Sequence, residues 1–440
     1  MNRSIFLFQI FLFSFFAVYG ANAQEEKQYD LILKSGHVID PANNINKVMD
    51  VAIKDRKIAL VASSIPPVSA KATIPVSGYF VTPGLIDIHA HVFYTFFTSA
   101  ARGIIPDDIC LPSGVTTVVD AGTVGADTFE DFLTLLDRSH SQARVRVLAF
   151  LNISETGMNE GEQNPLLLNV QKAVATALKY PDRIVGFKTA HYWTSQPYDS
   201  LHTPWASVDS AIAAGNAAKL PVMLDFYPRP VMGDYPERSY RALILEKLRP
   251  GDIHTHVFAP HIPIIWDDGT VNPDLFAAQK RGVIFDVGHG AGSFVFRNAV
   301  PALKQGFIPN SISTDLHGAN TPGPVVNMLN VMSKFLCMGL PLEDVIRCST
   351  INPAMEIHHP ELGNLSVGSP ADIAVIELRK GKFGYTDMSV GKIQGNRKLQ
   401  CVMTICGGNP VYDPSGLSKP LWTAIPKDSP YWKNPTGMKW

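Results

Sequence analysis

The sequence predicts an α/β protein in which a (β/α)8 TIM barrel carries a small β-sandwich domain built from both chain ends. Eight short apolar runs alternate with helical stretches after about residue 82, as strands and helices alternate in such a barrel. Each run is continuously apolar, which is typical of parallel strands buried on both faces. Short β-like runs punctuated by glycine and proline precede and follow this region. A chain of 440 residues is long enough for both parts.

The first 23 residues predict a signal peptide. Arg3 supplies a positive start, residues 5–19 are apolar, and Ala21-Asn22-Ala23 forms a small-residue cleavage signal. A membrane anchor is the alternative, but the apolar stretch is short for a span. We therefore expect an exported protein, periplasmic or secreted, with no stable membrane insertion after the signal is removed.

The remaining elements follow in chain order. Residues 24–81 form the N-terminal part of the predicted β-domain, with β-like runs at 31–34, 38–39, 51–53 and 58–61. Residues 82–360 form the predicted barrel, whose candidate strands are Leu85–His89, Thr116–Asp120, Val145–Leu151, Ile184–Lys188, Val222–Phe226, Asp252–His256, Val283–Val287 and Ser311–Asp315. Its clearest helical stretches are Thr128–Arg138, Leu166–Lys179, Ser207–Ala218 and Asp274–Lys280. Residues 361–413 again contain short β-like runs and are expected to pair with residues 24–81. Residues 414–440 are expected to form an extended tail.

Composition narrows the classes of partner. Hydrophobic residues make up 46% and charged residues 18%, which is typical of a globular protein. The net charge of -1 and the lack of a long lysine or arginine run disfavour nucleic acid and anionic membrane as partners.

The five cysteines are an odd number and suggest buried small hydrophobes, although a Cys401–Cys406 bridge would be allowed by a hairpin there. Assembly into a homo-oligomer stays open.

His89-Ala-His91 closes the first candidate barrel strand. Side chains at i and i+2 of a strand face the same side, so both imidazoles are expected to point together. Imidazole is a good ligand for divalent transition metals. The carboxyl ends of barrel strands form the active face, so the pair predicts a metal site there.

Lys188 ends the fourth candidate strand. A lysine at this place could extend its ammonium out of the barrel mouth into water. Beside metal-binding histidines, however, a desolvated lysine easily becomes a neutral amine and can react with CO2. The carbamate so formed is an anion whose two oxygens can bridge two divalent metals, and we favour this interpretation.

The chain resembles the amidohydrolase superfamily, and within it the amidohydrolase/deacetylase metallohydrolases, which have dihydroorotase-like relatives. The matching stretches are Val81–Val92, Gly114–Thr123, Gly186–Lys188, Gly251–His256, Phe285–Ser293, Ser313–His317 and Leu362–Ala374. They extend over residues 29–412 and are specific for fold and reaction class, but not for substrate.

The resemblance implies two divalent metal ions bridged by carboxylated Lys188. Its pattern assigns His89, His91, Lys188 and Asp315 to the more buried ion. The second ion would share the carbamate and take ligands from the fifth and sixth strands. Mixed histidine and carboxylate ligation favours zinc, with manganese or iron open.

Two of these assignments have rivals. The sixth-strand ligand maps to His256, but His254 lies two residues earlier and is expected on the same face. We prefer His256 because the ligand should stand nearest the carboxyl end of the strand. On the fifth strand, Asp225 stands where the superfamily usually has histidine. A carboxylate can replace imidazole as a ligand; alternatively, Asp225 does not bind and the second metal site is weak or absent.

Other residues are candidates for catalysis and substrate binding. Asp315 is the predicted catalytic residue, since a carboxylate on the metal can take a proton from the attacking oxygen and hand it to the leaving group. His289 lies in a glycine-rich turn, Gly288 to Ser293, whose N–H groups could hold an anion. His289, His317 and Tyr192 are the candidate substrate-binding residues.

We therefore expect a metal-dependent hydrolase that cleaves an amide or ester with metal-bound hydroxide, in the manner of a deacetylase. Its partner would be a small-molecule substrate carrying an acyl group. Opening of a cyclic amide, as by a dihydroorotase, is the alternative within this chemistry. A catalytically silent barrel that binds ligands is the alternative from another class, and phosphotriester hydrolysis is a third option.

Overall fold

The computed structural model describes residues 27–93, 103–138, 144–190, 200, 202–227, 239–389 and 391–429. The strands in these residues are β1 (Tyr29–Asp40), β2 (Ile45–Lys54), β3 (Lys57–Ala62), β4 (Ala70–Pro75), β5 (Phe80–Pro83), β6 (Leu85–Ala90), β7 (Val115–Ala121), β8 (Arg146–Asn152), β9 (Ile184–Thr189), β10 (Val222–Leu224), β11 (Ile253–His254), β12 (Ile284–Phe285), β13 (Ile373–Thr386), β14 (Lys392–Cys406) and β15 (Asn409–Tyr412). The α-helices are α1 (Pro106–Cys110), α2 (Phe129–Arg138), α3 (Val170–Lys179), α4 (Ala206–Ala218), α5 (Tyr240–Ala242), α6 (Pro273–Arg281), α7 (Phe296–Lys304), α8 (Met328–Cys337), α9 (Leu342–Arg347) and α10 (Ile351–Glu356). The expected signal peptide, Tyr192 and the end of the tail lie outside the described residues.

Strands β6 to β12 form one parallel sheet in which each strand pairs with the next along the chain. They overlap seven of the eight predicted strands, and the α/β class is confirmed. The eighth predicted strand, Ser311–Asp315, is replaced by isolated parallel bridges, one of Ser311 with Asp286 and one of the next residue, Leu316, with Ala90. These bridges touch both edges of the sheet, and the left-handed backbone of Asp315 (φ 51°) interrupts regular pairing between them.

The four predicted helical stretches overlap α2, α3, α4 and α6. Helix α3 begins at Val170, later than the predicted Leu166. The Asn169 side chain accepts a hydrogen bond from Lys172 N at 3.0 Å and so caps the helix at this point. Within the described residues, none of the helices combines the length and apolarity that a bilayer span requires.

Alternate side chains of the parallel strands divide between two apolar clusters. One cluster crosses one face of the sheet and includes Phe150, Met223 and Ile253. On the other face, residues such as Leu151 pack in the cluster that contains Phe132 of α2. Burial on both faces fixes the strands relative to one another, so the residues that follow their carboxyl ends are held in a defined arrangement.

The two chain ends form a second sheet, in the order β15-β14-β13-β5-β1-β2-β3, with β4 paired to β1. The pairing of Ile373 with Pro83 joins the C-terminal half to β5, the strand that precedes the parallel sheet. Hydrogen bonds connect these strands into a single sheet, whereas the expected sandwich would consist of two. All five cysteines are free, and Cys401 and Cys406 lie in the same strand β14, so the bridge between them does not form.

Candidate metal centre

The six side chains predicted as metal ligands lie at or just after the carboxyl ends of the parallel strands. They are His89 in β6, His91 just after it, Lys188 in β9, Asp225 after β10, His256 after β11 and Asp315 after the Ser311 bridge. Five of them belong to buried residues, and the side chain of Asp315 is 14% exposed. Parallel strands end at one edge of their sheet, which makes neighbours of residues far apart in sequence.

His89 and His91 both direct Nε2 toward Asp315. The distance to Asp315 Oδ1 is 2.9 Å from His91 Nε2 and 3.6 Å from His89 Nε2. The backbone holds this arrangement, because Asp315 N–H donates to the His89 carbonyl at 2.6 Å and His91 N–H donates to the Leu316 carbonyl at 2.9 Å. One carboxylate oxygen therefore faces both imidazoles.

His256 completes a cluster with His89 and Asp315. One ligand atom from each of these residues lies within 4.8 Å of the other two, and the rings of His89 and His256 are 4.9 Å apart. On its other side, His256 Nε2 lies 3.6 Å from Asp225 Oδ2. The structure thus brings three imidazoles and two carboxylates together, the donor types that divalent zinc binds in proteins.

Hydrogen bonds to Nδ1 orient the three imidazoles. His256 Nδ1 lies 2.6 Å from the Gly288 carbonyl, which can only accept, so Nδ1 carries the proton and Nε2 keeps its lone pair. His89 Nδ1 lies 2.8 Å from Thr255 Oγ1, whose own hydrogen is donated to Asp286 Oδ2 at 2.7 Å. His89 must then donate from Nδ1 as well, and its Nε2 is free to bind. The Nδ1 of His91 is 2.7 Å from Thr123 Oγ1.

The protonation states suit a cation. Burial lowers the pKa of His89, and it lowers that of His256 to about 4. Burial acts to raise the pKa of Asp315, but the hydrogen bond from His91 and the electrostatic effect of the neighbouring histidines outweigh it and leave that pKa well below its usual value. At neutral pH the imidazoles of His89 and His256 are therefore neutral and the Asp315 carboxylate is ionised, which are the forms that bind metal.

Lys188 lies in β9 with 1% of its surface exposed. Among the described residues, no hydrogen bond or ion pair reaches its ammonium. Its stem packs on Gly122, where an added β-carbon would meet Lys188 Cβ at 2.7 Å. Burial is the main cause of the lowered pKa of His89 and of His256, and the charge of Lys188 contributes to both. A buried ammonium without a counter-ion is costly, so the position fits an amine that is modified or faces an anion.

His254 and His256 do not share a face, contrary to the sequence expectation. His254 ends β11 and packs between Tyr240 and Phe285, with ring centroids 5.4 and 5.8 Å away. His256 adopts a left-handed backbone (φ 61°), which interrupts the strand alternation and turns its ring toward His89. The structure therefore brings His256, and not His254, to the cluster.

His289 is surrounded by the protein, which differs from the predicted contact with a substrate. Its ring is fully buried and stacks on Phe294 with centroids 4.4 Å apart. Its Nδ1 lies 3.0 Å from the Gly290 carbonyl and its Nε2 lies 2.7 Å from Lys334 Nζ. Both ring nitrogens are thus engaged by the protein.

Of the two other predicted substrate-binding residues, His317 and Tyr192, the structure describes only His317. His317 is half-buried, with its ring 6.3 Å from that of His91, and burial lowers its pKa. It is therefore near enough to the cluster to contact a substrate there. Tyr192 lies outside the described residues, so its predicted role stays a prediction.

Asp286 and Thr255 support the cluster, although the sequence pattern predicted no role for them. Asp286 is fully buried and accepts hydrogen bonds from Thr255, Ser311 and Ser313 at 2.7, 2.9 and 2.7 Å. Through Thr255 it fixes the orientation of His89. In the sequence, this role is indicated by a lone aspartate inside an apolar strand. A carboxylate buried there needs hydrogen-bond donors around it.

Known proteins resemble this chain over most of its length. The sequence model of the amidohydrolase family matches residues 295–411. A deacetylase of Enterococcus faecalis is 32% identical over 391 residues, covering 88% of this chain and 99% of that protein. A solved adenine deaminase has a TM-score of 0.75 at 28% identity and covers 88% of this chain and 100% of its own. A solved dihydroorotase has a TM-score of 0.70 at 27% identity, with coverages of 87% and 99%.

Proposed function

The chain belongs to the amidohydrolase family, and we propose that it is a deacetylase-like hydrolase that removes an acyl group from a small amide or ester with two divalent metal ions. The cluster at the carboxyl ends of the strands carries this proposal. Three imidazoles face two carboxylates there, those of His89 and His256 keep free Nε2 lone pairs, and a buried lysine acts on the same site. Metals held at this cluster would polarise the scissile carbonyl and acidify water.

His89, His91, Lys188 and Asp315 would hold one ion, and Lys188, Asp225 and His256 the other. Carboxylation of Lys188 by CO2 would supply the anion that its buried amine lacks among the described residues. The carbamate, Asp225 and Asp315 would bring three negative charges against four positive ones. A histidine at position 225 would leave a larger positive excess, so this centre should be a slightly weaker Lewis acid than one with histidine there. Zinc is the proposed metal, because it accepts this mixture of donors.

Asp315 would act as the proton carrier. Its carboxylate is the most exposed of the predicted ligands and is held ionised, so it can accept a proton from the attacking water. The same oxygen would then return the proton to the leaving nitrogen or oxygen. His317, at the edge of the cluster, is the proposed contact to the substrate.

Two further features belong to the proposal. Segment 311–316 bridges both edges of the parallel sheet, which supports a closed eight-stranded barrel. The N-terminal sequence supports export to the periplasm or medium. Fractionation of cells that express the full chain tests export, since a protein retained in the cytosol would contradict it.

Metal content and acyl release together test the function. The full chain is stripped with chelator, supplied with zinc or manganese, and assayed with N-acetyl amino acids and acetyl esters by acetate release. We expect two metal equivalents, activity only after metal supply, and a loss of roughly 10²–10⁴-fold in Asp315→Asn, the range for removing a general base. A chain that takes up no metal and releases no acid contradicts the proposal.

Opening of a cyclic amide is the second candidate, because a dihydroorotase shares the fold and 27% of residues. The two reactions use the same centre and differ in their products. Deacylation yields a free acid and a second product, whereas ring opening yields one molecule. Mass spectrometry of the products therefore separates them.

A further inference from the structure

Lys334 is a fully buried lysine on α8 with no assigned role. Its Nζ lies 2.7 Å from His289 Nε2, 2.9 Å from the Pro324 carbonyl and 2.8 Å from the Thr386 carbonyl. An ammonium has three N–H donors and no acceptor, so these three partners use all of them. Although burial lowers the pKa of Lys334 to about 7, the arrangement of acceptors matches its protonated form.

This contact determines the tautomer of His289. Because Lys334 only donates, His289 Nε2 must accept, and the ring proton is on Nδ1, where it is donated to the Gly290 carbonyl. The ring is also stacked on Phe294. His289 is thereby held on both edges and one face, and the turn that carries it is held with it.

The turn Gly288–His289–Gly290 packs directly on two of the proposed metal ligands. The Gly288 carbonyl accepts the His256 Nδ1 hydrogen bond at 2.6 Å. A β-carbon at Gly288 would come within 2.7 Å of His256 Nδ1, and one at Gly290 would overlap Asp315 Oδ2. A shift of this turn must therefore move the His256 ring, the Asp315 carboxylate or both.

Lys334 also connects this turn to distant parts of the chain. The Thr386 carbonyl belongs to the end of β13 in the sheet formed by the chain ends, and Pro324 lies in the loop before α8. One ammonium thus joins the second sheet, that loop and the strand-end turn beside the cluster. Hydrogen bonds of this kind outside the ligand set typically change metal affinity by about 10–100-fold.

We propose that Lys334 is a positioning residue: by fixing His289, it holds the Gly288–Gly290 turn against His256 and Asp315 and so sets the metal affinity of the site. The expected effect of Lys334 on metal affinity rests on the proposed function, whereas its expected effect on the stability of the turn does not. The two are therefore measured separately.

The experiment compares Lys334→Met with a matched control, Ser333→Ala. Ser333 is the preceding residue of α8, is fully buried and accepts the Leu399 N–H at 3.0 Å, so it ties the same helix to the same second sheet without contacting the turn. The rate of amide hydrogen exchange at residues 288–290 in the metal-free chain measures how firmly the turn is held. Titration against a zinc chelator reports metal affinity in the folded protein.

We expect Lys334→Met to speed exchange at the turn and to weaken zinc binding about 10–100-fold, while Ser333→Ala changes neither. His289→Gln is expected to weaken zinc binding too, and the double variant should lose little more than either single variant, since both remove one link. Unchanged exchange at the turn in Lys334→Met, or fully additive losses of affinity, overturn the inference. If the parent chain binds no metal, the proposed function fails, and the exchange data alone still decide whether Lys334 holds the turn.

Discussion

Gly290 packs so closely on Asp315 that a β-carbon at position 290 would overlap Asp315 Oδ2. Gly290 also has a positive φ of 54°, which side-chain-bearing residues adopt at a cost. Gly292, in the same loop, has open space where its β-carbon would be. The two glycines therefore provide a matched pair.

We predict that Gly290→Ala displaces the Asp315 carboxylate and lowers kcat by at least 10-fold, because the proposed proton carrier leaves its position. Backbone strain should also cost about 1–3 kcal/mol of unfolding free energy. Gly292→Ala should leave both quantities near those of the parent. Steady-state kinetics and urea denaturation measure the two effects, and equal kinetics in both variants would show that the close contact is unimportant.

Lys188 should make metal binding depend on dissolved CO2. We predict that the stripped parent takes up two metal equivalents with bicarbonate present and fewer when CO2 is excluded, because the carbamate would supply a bridging anion. Lys188→Ala should bind less metal in both conditions and should not respond to bicarbonate. Metal analysis of the desalted proteins checks this. A bicarbonate response that persists in Lys188→Ala would place the effect elsewhere.

Asp225 should hold the second metal ion. Asp225→Asn keeps the side-chain size but removes the charge, so we predict one tightly bound equivalent in place of two. Asp225→His should retain both ions and shift the acidic limb of the activity profile to lower pH, since a less negative centre acidifies water more strongly. Metal analysis and kcat/KM against pH test the pair. Two tight equivalents in Asp225→Asn would rule out ligation by this carboxylate.

His254 should be dispensable for metal binding although it lies only two residues from His256. Its ring is fully buried between Tyr240 and Phe285, and its Nε2 has no hydrogen-bond partner in the described residues. We predict that His254→Phe binds metal like the parent, whereas His256→Phe loses one equivalent. The reverse result would show that the left-handed turn at His256 is not the arrangement in solution.

The same variant should change acid stability. Burial lowers the pKa of His254 from 6.5 to about 4 in the folded chain, so between these pH values the unfolded chain holds a proton that the folded chain lacks. The unfolding free energy therefore falls as pH drops below about 6.5, by ~2 kcal/mol at pH 5 for this group, and has no such contribution above it. His254→Phe should lose about that much less stability between pH 7 and pH 5. Urea denaturation of the metal-free proteins at both pH values measures the difference. An equal loss of unfolding free energy in the parent and in His254→Phe would contradict the prediction.

Local sequence signals predicted much of the scaffold. Apolar runs of strand length overlap all seven strands of the parallel sheet, because burial on both faces leaves a pattern that can be read one segment at a time. The same runs place His89, Lys188 and Asp225 at or next to the observed strand ends. Placement at the sheet edge follows from parallel topology, so this much of the candidate site is readable in sequence.

The choice of which groups face one another was decided by tertiary structure. Strand periodicity places His254 and His256 on one face, but the left-handed backbone of His256 turns it to the cluster and leaves His254 among aromatic rings. His289 reads as a substrate residue until Lys334, 45 positions away, is seen to occupy its Nε2. Periodicity reports only the average face of a regular element. Single-residue backbone reversals and contacts between distant segments depend on how the whole chain packs, and these set the direction of each ring.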